Sequence, residues 1–254
     1  MKIKLLGTGT SQGVPVVACK CPVCQSNDVK DKRLRTSAMF EVDGKNIVID
    51  CGPDFRYQML RENVSNIRAI LLTHEHRDHI AGIDDVRSFN WINKCAVDIY
   101  AEHRVVKAIK AMFSYAFKIK NKYPGVPSIN ITEISDSPFY IDDIKIIPIR
   151  GMHAFLPVLG YRIGDIAYLT DFKTIEDGEL NKLKHCRVLI INALRFEEHH
   201  SHLCVKDALK LINKINPEQA YFTHIGHQFG KYVDKNDLLP DNVNMAFDGL
   251  TLEI

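Results

Sequence analysis

Ten short apolar runs punctuate the chain, at residues 3–6, 38–42, 46–50, 69–73, 98–100, 144–149, 159–163, 166–170, 188–192 and 219–223. Their length, β-branched content and bounding Gly, Asp or Pro read as strands. Asp43-Gly44 joins two of them with a hairpin signal. Helical spacing of apolar residues occurs in three places: 79–89, 105–117 and 205–215, the last with Val205, Ala208, Leu209, Leu211 and Ile212. Strands dominate the first half and strand–helix alternation returns later. This order predicts a mixed α/β fold with layered sheets rather than an all-parallel Rossmann fold.

The 254 residues hold no repeat, low-complexity segment or Pro/Gly/Ser-rich linker, so one domain over 1–254 is expected. Apolar residues make up 46% and charged residues 25%, which excludes disorder and coiled coil. The formal charge of +2 excludes a nucleic-acid-binding polycation, though not a local basic patch. No run reaches the ~18 apolar residues of a membrane span. The opening MKIKLLGTGTSQG is too short in apolar residues for a signal-peptide core, so a cytoplasmic chain that engages no membrane is expected. Cys19, Cys21 and Cys24 fall within six residues, too cramped for a disulfide framework. In a reducing compartment such a cluster suggests metal. Cys51, Cys95, Cys186 and Cys204 lie in apolar surroundings and read as buried structural residues.

The strongest chemical signal is Thr73-His74-Glu75-His76-Arg77-Asp78-His79, placed between an apolar strand and a helical pattern. His74 and His76 stand two apart in an extended turn, so their rings can share a side. Asp78 and His79 fall where the chain enters the helix and can serve a second position. His153, Asp171 and His224 each lie just past the C-terminal end of an apolar strand, where adjacent strands bring ligand sites together. Singly, each reads equally well as a turn or cap residue. Together, five imidazoles and two carboxylates suit two metal ions sharing a bridging carboxylate and a bridging water.

The His-x-His-x-Asp-His run, with His153, Asp171 and His224 downstream, resembles the metallo-β-lactamase superfamily, and the resemblance spans essentially the whole chain. It implies an αββα sandwich, two mixed β-sheets packed face to face with helices outside. Asp50-Cys51-Gly52 resembles the family's Asp-x-Gly element, which braces the metal loop. Carried over by residue, the resemblance places His74, His76 and His153 on one divalent ion and Asp78, His79 and His224 on the other, bridged by Asp171. Aspartate rather than cysteine at the bridge is similar to the phosphodiesterase and RNase branches.

A finer resemblance is to PhnP-like phosphodiesterases, which hydrolyse cyclic ribose phosphates, with RNase Z beside them. It rests on Leu6-Gly7-Thr8-Gly9-Thr10-Ser11-Gln12-Gly13-Val14-Pro15, on Cys19-x-Cys21-x-x-Cys24 with His227, and on His202 upstream of Thr223-His224-Ile225-Gly226-His227. It implies a structural zinc on Cys19, Cys21, Cys24 and His227. Three soft thiolates want a fourth ligand to close a tetrahedron, and His227 is three residues past His224, so one loop could serve both centres. It also implies that His202 acts on the phosphate, as proton donor to the leaving oxygen or as a clamp on developing charge. His199 and His200 are the fallbacks, and Ser201 lacks the Gly-x-Ser-x-Gly elbow of a serine hydrolase.

The expected function is a metal-dependent phosphodiesterase acting on a small ribose phosphate or nucleotide, cyclic esters included. Two divalent ions (Zn, Mn or Fe) and one structural Zn are its expected cofactors. The bridging water is the expected nucleophile, with Asp78 and His202 in the catalytic machinery. Arg195 is a candidate phosphate contact, and Arg87 and Arg35 are weaker ones. Asp84 and Asp85 read as capping or supporting groups. The rivals are an RNase Z-like nuclease and a non-catalytic metal-binding scaffold. The nuclease needs a basic RNA-gripping arm, for which 107–122, with Lys107, Lys110, Lys118, Lys120 and Lys122, is the best candidate. Phe113, Tyr115 and Phe117 interleave there, as an amphipathic helix would also require, so RNA is the less expected partner. Oligomeric state, including a homodimer, stays open.

Overall fold

The computed structural model describes residues 1–118 and 124–254. Six strands form most of one sheet: β1 (Lys2–Gly7), β2 (Ser37–Val42), β3 (Lys45–Ile49), β4 (Ala69–Leu71), β5 (Val97–Ala101) and β6 (Ile129–Glu133). Seven form the other: β7 (Phe139–Ile141), β8 (Ile144–His153), β9 (Leu156–Ile163), β10 (Ile166–Leu169), β11 (Val188–Asn192), β12 (Gln219–Thr223) and β13 (Val243–Met245). The last strand, β14 (Thr251–Glu253), returns to the first sheet. The strand orders are β14-β1-β2-β3-β4-β5-β6 and β13-β12-β11-β10-β9-β8-β7. The helices are α1 (Phe55–Arg61), α2 (Arg77–Ile80), α3 (Arg87–Asn93), α4 (His103–Met112), α5 (Asp177–Leu180), α6 (Val205–Ile215) and α7 (Tyr232–Lys235).

The unbroken apolar strands follow from burial on both faces. In β4, Ala69 and Leu71 face the other sheet, while Ile70 packs outward with Phe55, Phe89 and Val105. In β11, Val188 and Ile190 face inward, and Leu189 and Ile191 pack under Ala208 and Ile212 of α6. An inter-sheet core and two helix-covered outer cores make the αββα sandwich that the resemblance implies. The Asp43-Gly44 hairpin is observed, with φ of 50° and 74°, as a type I′ turn requires.

Parallel pairing runs through β3–β4–β5–β6 and through β10–β11–β12–β13. Parallel strands end on a common edge, so the loops after β3, β4, β10 and β12 gather there. The helix over 205–215 is observed as read. Residues 79–89 instead form α2, a 3-10 turn and the start of α3, and the helix over 105–117 ends at Met112 before a 3-10 turn. His153 is the last residue of β8, not a loop residue beyond 149, because β8 pairs with β9 as far as His153–Leu156. Cys95 is exposed, a correction to its reading as buried, since it sits in the open turn after α3. Among the described residues no helix is long and apolar enough to cross a membrane.

Candidate metal centres

Asp50 follows β3 and is fully buried. Its carboxylate accepts from the Thr73 amide (2.9 Å), the Thr73 hydroxyl (2.9 Å) and His79 Nδ1 (2.6 Å). With its hydroxyl hydrogen committed to Asp50, Thr73 Oγ1 accepts from His74 Nδ1 at 2.9 Å. These bonds fix the tautomers and turn the Nε2 atoms of His74 and His79 toward one point. Gly52 is required beside them: a Cβ there would sit 1.9 Å from the Asp78 carbonyl oxygen. The Asp-x-Gly element therefore does brace this loop.

His74 Nε2 lies 3.0 Å from His76 Nδ1. His79 Nε2 lies 3.2 Å from Asp78 Oδ2 and 3.3 Å from Asp171 Oδ2. The same Asp171 oxygen is 3.1 Å from His224 Nδ1. His153 sits against His76, with ring centroids 5.2 Å apart, and its Nδ1 donates to the Ser201 carbonyl at 2.8 Å. All seven residues thus converge. The closest groupings do not follow the two triplets implied by the resemblance: His74, His79 and Asp171 form one tight cluster, and His153, Asp171 and His202 another.

Burial pushes the His74 pKa well below its ordinary value, aided by His79. Burial also acts downward on His79, but Asp50, Asp171 and Asp78 outweigh it and hold the ring well above the usual range. Burial acts upward on Asp171, yet His224 and His79 keep it well below the carboxylate range, and Asp78 is lowered likewise by His79. Ionised carboxylates beside buried ring nitrogens are what cations need. His79 Nε2 and His224 Nε2 are buried without hydrogen-bond partners, which fits a metal held among them. Asp50, Asp171 and His224 all adopt left-handed backbone, with φ of 63°, 63° and 54°. Such strain clusters at functional sites.

His202 is the histidine of its trio that reaches this centre. Its ring lies 4.4 Å from that of His153 and 4.7 Å from that of His224, with Nδ1 3.7 Å from Asp171 Oδ1. Burial, then His224, drives its pKa down to about 2. His200 is exposed and packs on His199. Ser201 contributes through its backbone carbonyl, a role that nothing in the sequence signals. Arg35 is committed to Asp54 at 3.0 Å and to the Ser11 carbonyl, and Arg87 to Asp84 at 3.2 Å. Among the described residues Arg195 makes looser contacts, 3.3 Å to the Glu198 carbonyl and 3.9 Å to Glu197.

The second cluster is compact. His227 Nδ1 lies 3.3 Å from Cys19 Sγ, 3.3 Å from Cys21 Sγ and 3.5 Å from Cys24 Sγ. Amides of Val16 and Cys24 donate to the sulfurs of Cys24 and Cys21. Three sulfurs around one imidazole nitrogen, with none joined in a disulfide, fit a tetrahedral zinc. The loop after β1 pairs with the loop after β12, through Ile225 N–H to the Thr8 carbonyl (2.9 Å) and Thr10 N–H to the Ile225 carbonyl (3.2 Å). One segment, 224–227, therefore borders both centres.

The segment 107–122, the candidate RNA-gripping arm of the nuclease reading, is different in kind. Val105, Val106 and Ile109 of α4 are buried against the sheet, with Lys107 and Lys110 on the outer face. Lys120 and Lys122 lie outside the described residues.

Residues 45–225 match the family described as a β-lactamase superfamily domain. A Porphyromonas gingivalis protein named an octanoyltransferase is 44% identical over 253 residues, covering 98% of this chain and 51% of that protein. A ribonuclease Z of a Cyanothece species is 29% identical over 176 residues, 65% of this chain and 47% of that protein. The chain spans about half the length of the curated relatives it matches. A crystal structure described as a new diphosphatase from the PhnP family superposes with a TM-score of 0.92 at 38% identity, covering 100% of this chain and 97% of that one. The short form of human tRNase Z shares the fold, with a TM-score of 0.73 at 16% identity over 100% and 99% of the two chains.

Proposed function

The chain belongs to the β-lactamase superfamily, and from that premise we propose that it is a metal-dependent hydrolase of a phosphodiester in a small ribose phosphate or nucleotide, cyclic esters included. The observation that carries this reading is the convergence of His74, His76, Asp78, His79, His153, Asp171 and His224 at one edge of the sandwich, from loops of both sheets, with His202 at its border. A 38% identical diphosphatase and the ribonuclease Z relatives support phosphoryl chemistry. Two divalent ions (Zn, Mn or Fe) would supply an activated water and offset charge building on the phosphate.

The chain's own residues supply the rest. Asp171, between His79 and His224, holds a negative charge where both ions need one. Asp78 stays ionised beside His79 and completes the ligand set. Burial and His224 hold the His202 pKa low, which favours a neutral N–H donor to the phosphate, a clamp, over a resting general acid. Arg195, held more loosely than Arg35 or Arg87, is assigned an outer phosphate contact. Cys19, Cys21, Cys24 and His227 hold a structural zinc. The compact packing of α4 and the +2 charge favour a small substrate over RNA. The acyl-transfer name belongs to the Porphyromonas protein, about half of which lies outside the match.

Elemental analysis of wild type and His74→Ala, with turnover of bis(p-nitrophenyl) phosphate, cyclic nucleotides, cyclic ribose phosphates and a tRNA precursor, tests this reading. Loss of active-site metal in the variant and turnover of a small ester by wild type are expected. Unchanged metal content, or turnover confined to the tRNA precursor, overturns it.

A further inference from the structure

We propose that Arg104 is a positioning residue for the active-site metals. It locks the loop that carries His74 and His76 to the hairpin that carries His153. The inference rests on the reading of those histidines as ligands.

The two segments belong to different sheets and meet along a seam. Deep in the seam, the Tyr161 hydroxyl donates to the Leu72 carbonyl at 2.6 Å. One step outward, the Leu159 amide donates to the Thr73 carbonyl at 3.1 Å. Beyond that the site opens. The next link is a side chain: Arg104 Nη1 donates to the Glu75 carboxylate and Nη2 to the Pro157 carbonyl. Glu75 stands between His74 and His76, and Pro157 adjoins Leu156, the register partner of His153.

The link is anchored from behind. Glu102 lies 3.4 Å from Arg104 Nη2 and accepts from Arg150 Nη2 at 2.6 Å. Arg150 belongs to β8, three residues before His153. Arg104 thus addresses Glu75, Pro157 and Glu102 with one planar fork, a geometry an ammonium cannot reproduce. In the extended loop Glu75 alternates with its two histidine neighbours, so its side chain faces away from them. Asp50 reaches Thr73 and His79, both of the first half, and supplies no such crossing.

The test compares wild type, Arg104→Ala, Arg104→Lys and Glu75→Gln for metal content, affinity in chelator competition, and the d–d spectrum of the cobalt-loaded protein. Arg104→Ala is expected to weaken one active-site ion by about tenfold or more, the scale of supporting-residue effects on metal sites. Arg104→Lys should not restore it. Glu75→Gln, a partly exposed loop change that leaves the fold intact, should weaken the same ion and shift the same cobalt band. The structural zinc should be unmoved in all three. Wild-type affinity in Arg104→Ala and Glu75→Gln overturns the clamp alone. Equal weakening of every metal, with a lowered Tm, also overturns it, because that marks general loosening. A wild-type protein that holds no active-site metal overturns the function, and the clamp with it.

Discussion

The two candidate centres are built by opposite means. The thiolate cluster draws three donors from one six-residue stretch, and only His227 arrives from afar. The histidine–carboxylate cluster draws its donors from the β4–α2 loop, the end of β8 and the loops after β10 and β12, so both sheets must dock before it exists. Protonation differs accordingly. The Cys24 amide, with His227 and Cys19, pulls Cys21 down to about 6, whereas burial pushes Cys24 up to about 11. In the other cluster Asp50, Asp171 and Asp78 outweigh burial at His79, His224 and His79 outweigh it at Asp171, and burial prevails at His74. One centre is a clasp on a loop; the other is a product of the whole sandwich.

The largest expected effect is therefore at Asp171. Asp171→Ala removes the carboxylate that lies against both His79 and His224, so both active-site ions should be lost and kcat should fall by about a thousandfold or more. The thiolate cluster shares no donor with it and should keep its zinc. Elemental analysis together with kcat checks both halves. Retention of two active-site ions would show that the clusters are not divided as described.

His202→Ala should act on chemistry without touching either metal set, because His202 is the group at the active site outside the seven. Loss of a donor to a developing oxyanion is worth about a hundredfold. A clamp predicts equal fractional losses for a p-nitrophenyl ester and a ribose ester. A proton donor predicts a greater loss for the ribose hydroxyl, the poorer leaving group. Metal content measured beside kcat on both esters decides between them.

The difference between the centres also explains what the sequence made legible. The thiolates were visible as spacing, and the His-x-His-x-Asp-His run as a cluster. His153, Asp171 and His224 were visible only as strand-end residues, each with an ordinary alternative, and the resemblance joined them. Strands β6, β7, β13 and β14 are edge strands of three to five residues, too short to carry a clear pattern of their own, and are fixed by pairing such as that of Thr251 with Lys4. Helix α1 went unread because its apolar stripe, Phe55 and Met59, is only two residues deep. The Arg104–Glu75 link spans 29 residues and two elements, and no local periodicity encodes it. Apolar content stops near Ile149, so composition puts His153 beyond the strand, whereas hairpin pairing carries β8 on to His153.

The smallest effect on catalysis should come from the clasp. Cys21→Ser removes one thiolate of four donors, so zinc stoichiometry should fall by one and Tm by several degrees. The loop after β1 would still be held by pairings such as Thr8 with Ile225 and Gly9 with Leu34, and by the Thr8 amide and hydroxyl on Asp248, at 2.9 and 2.8 Å. Those bonds lie on the β1 side of the cysteines, so the path from the loop to His224 persists. His224 itself stays tied by Thr170 and Asp171. Activity of the folded variant should consequently change by less than about tenfold, with the active-site ions retained, against the thousandfold at Asp171. Calorimetry, elemental analysis and kcat on the same preparation measure all three. A collapse of kcat with normal active-site metal would mean that the 224–227 segment couples the centres tightly enough to make them one.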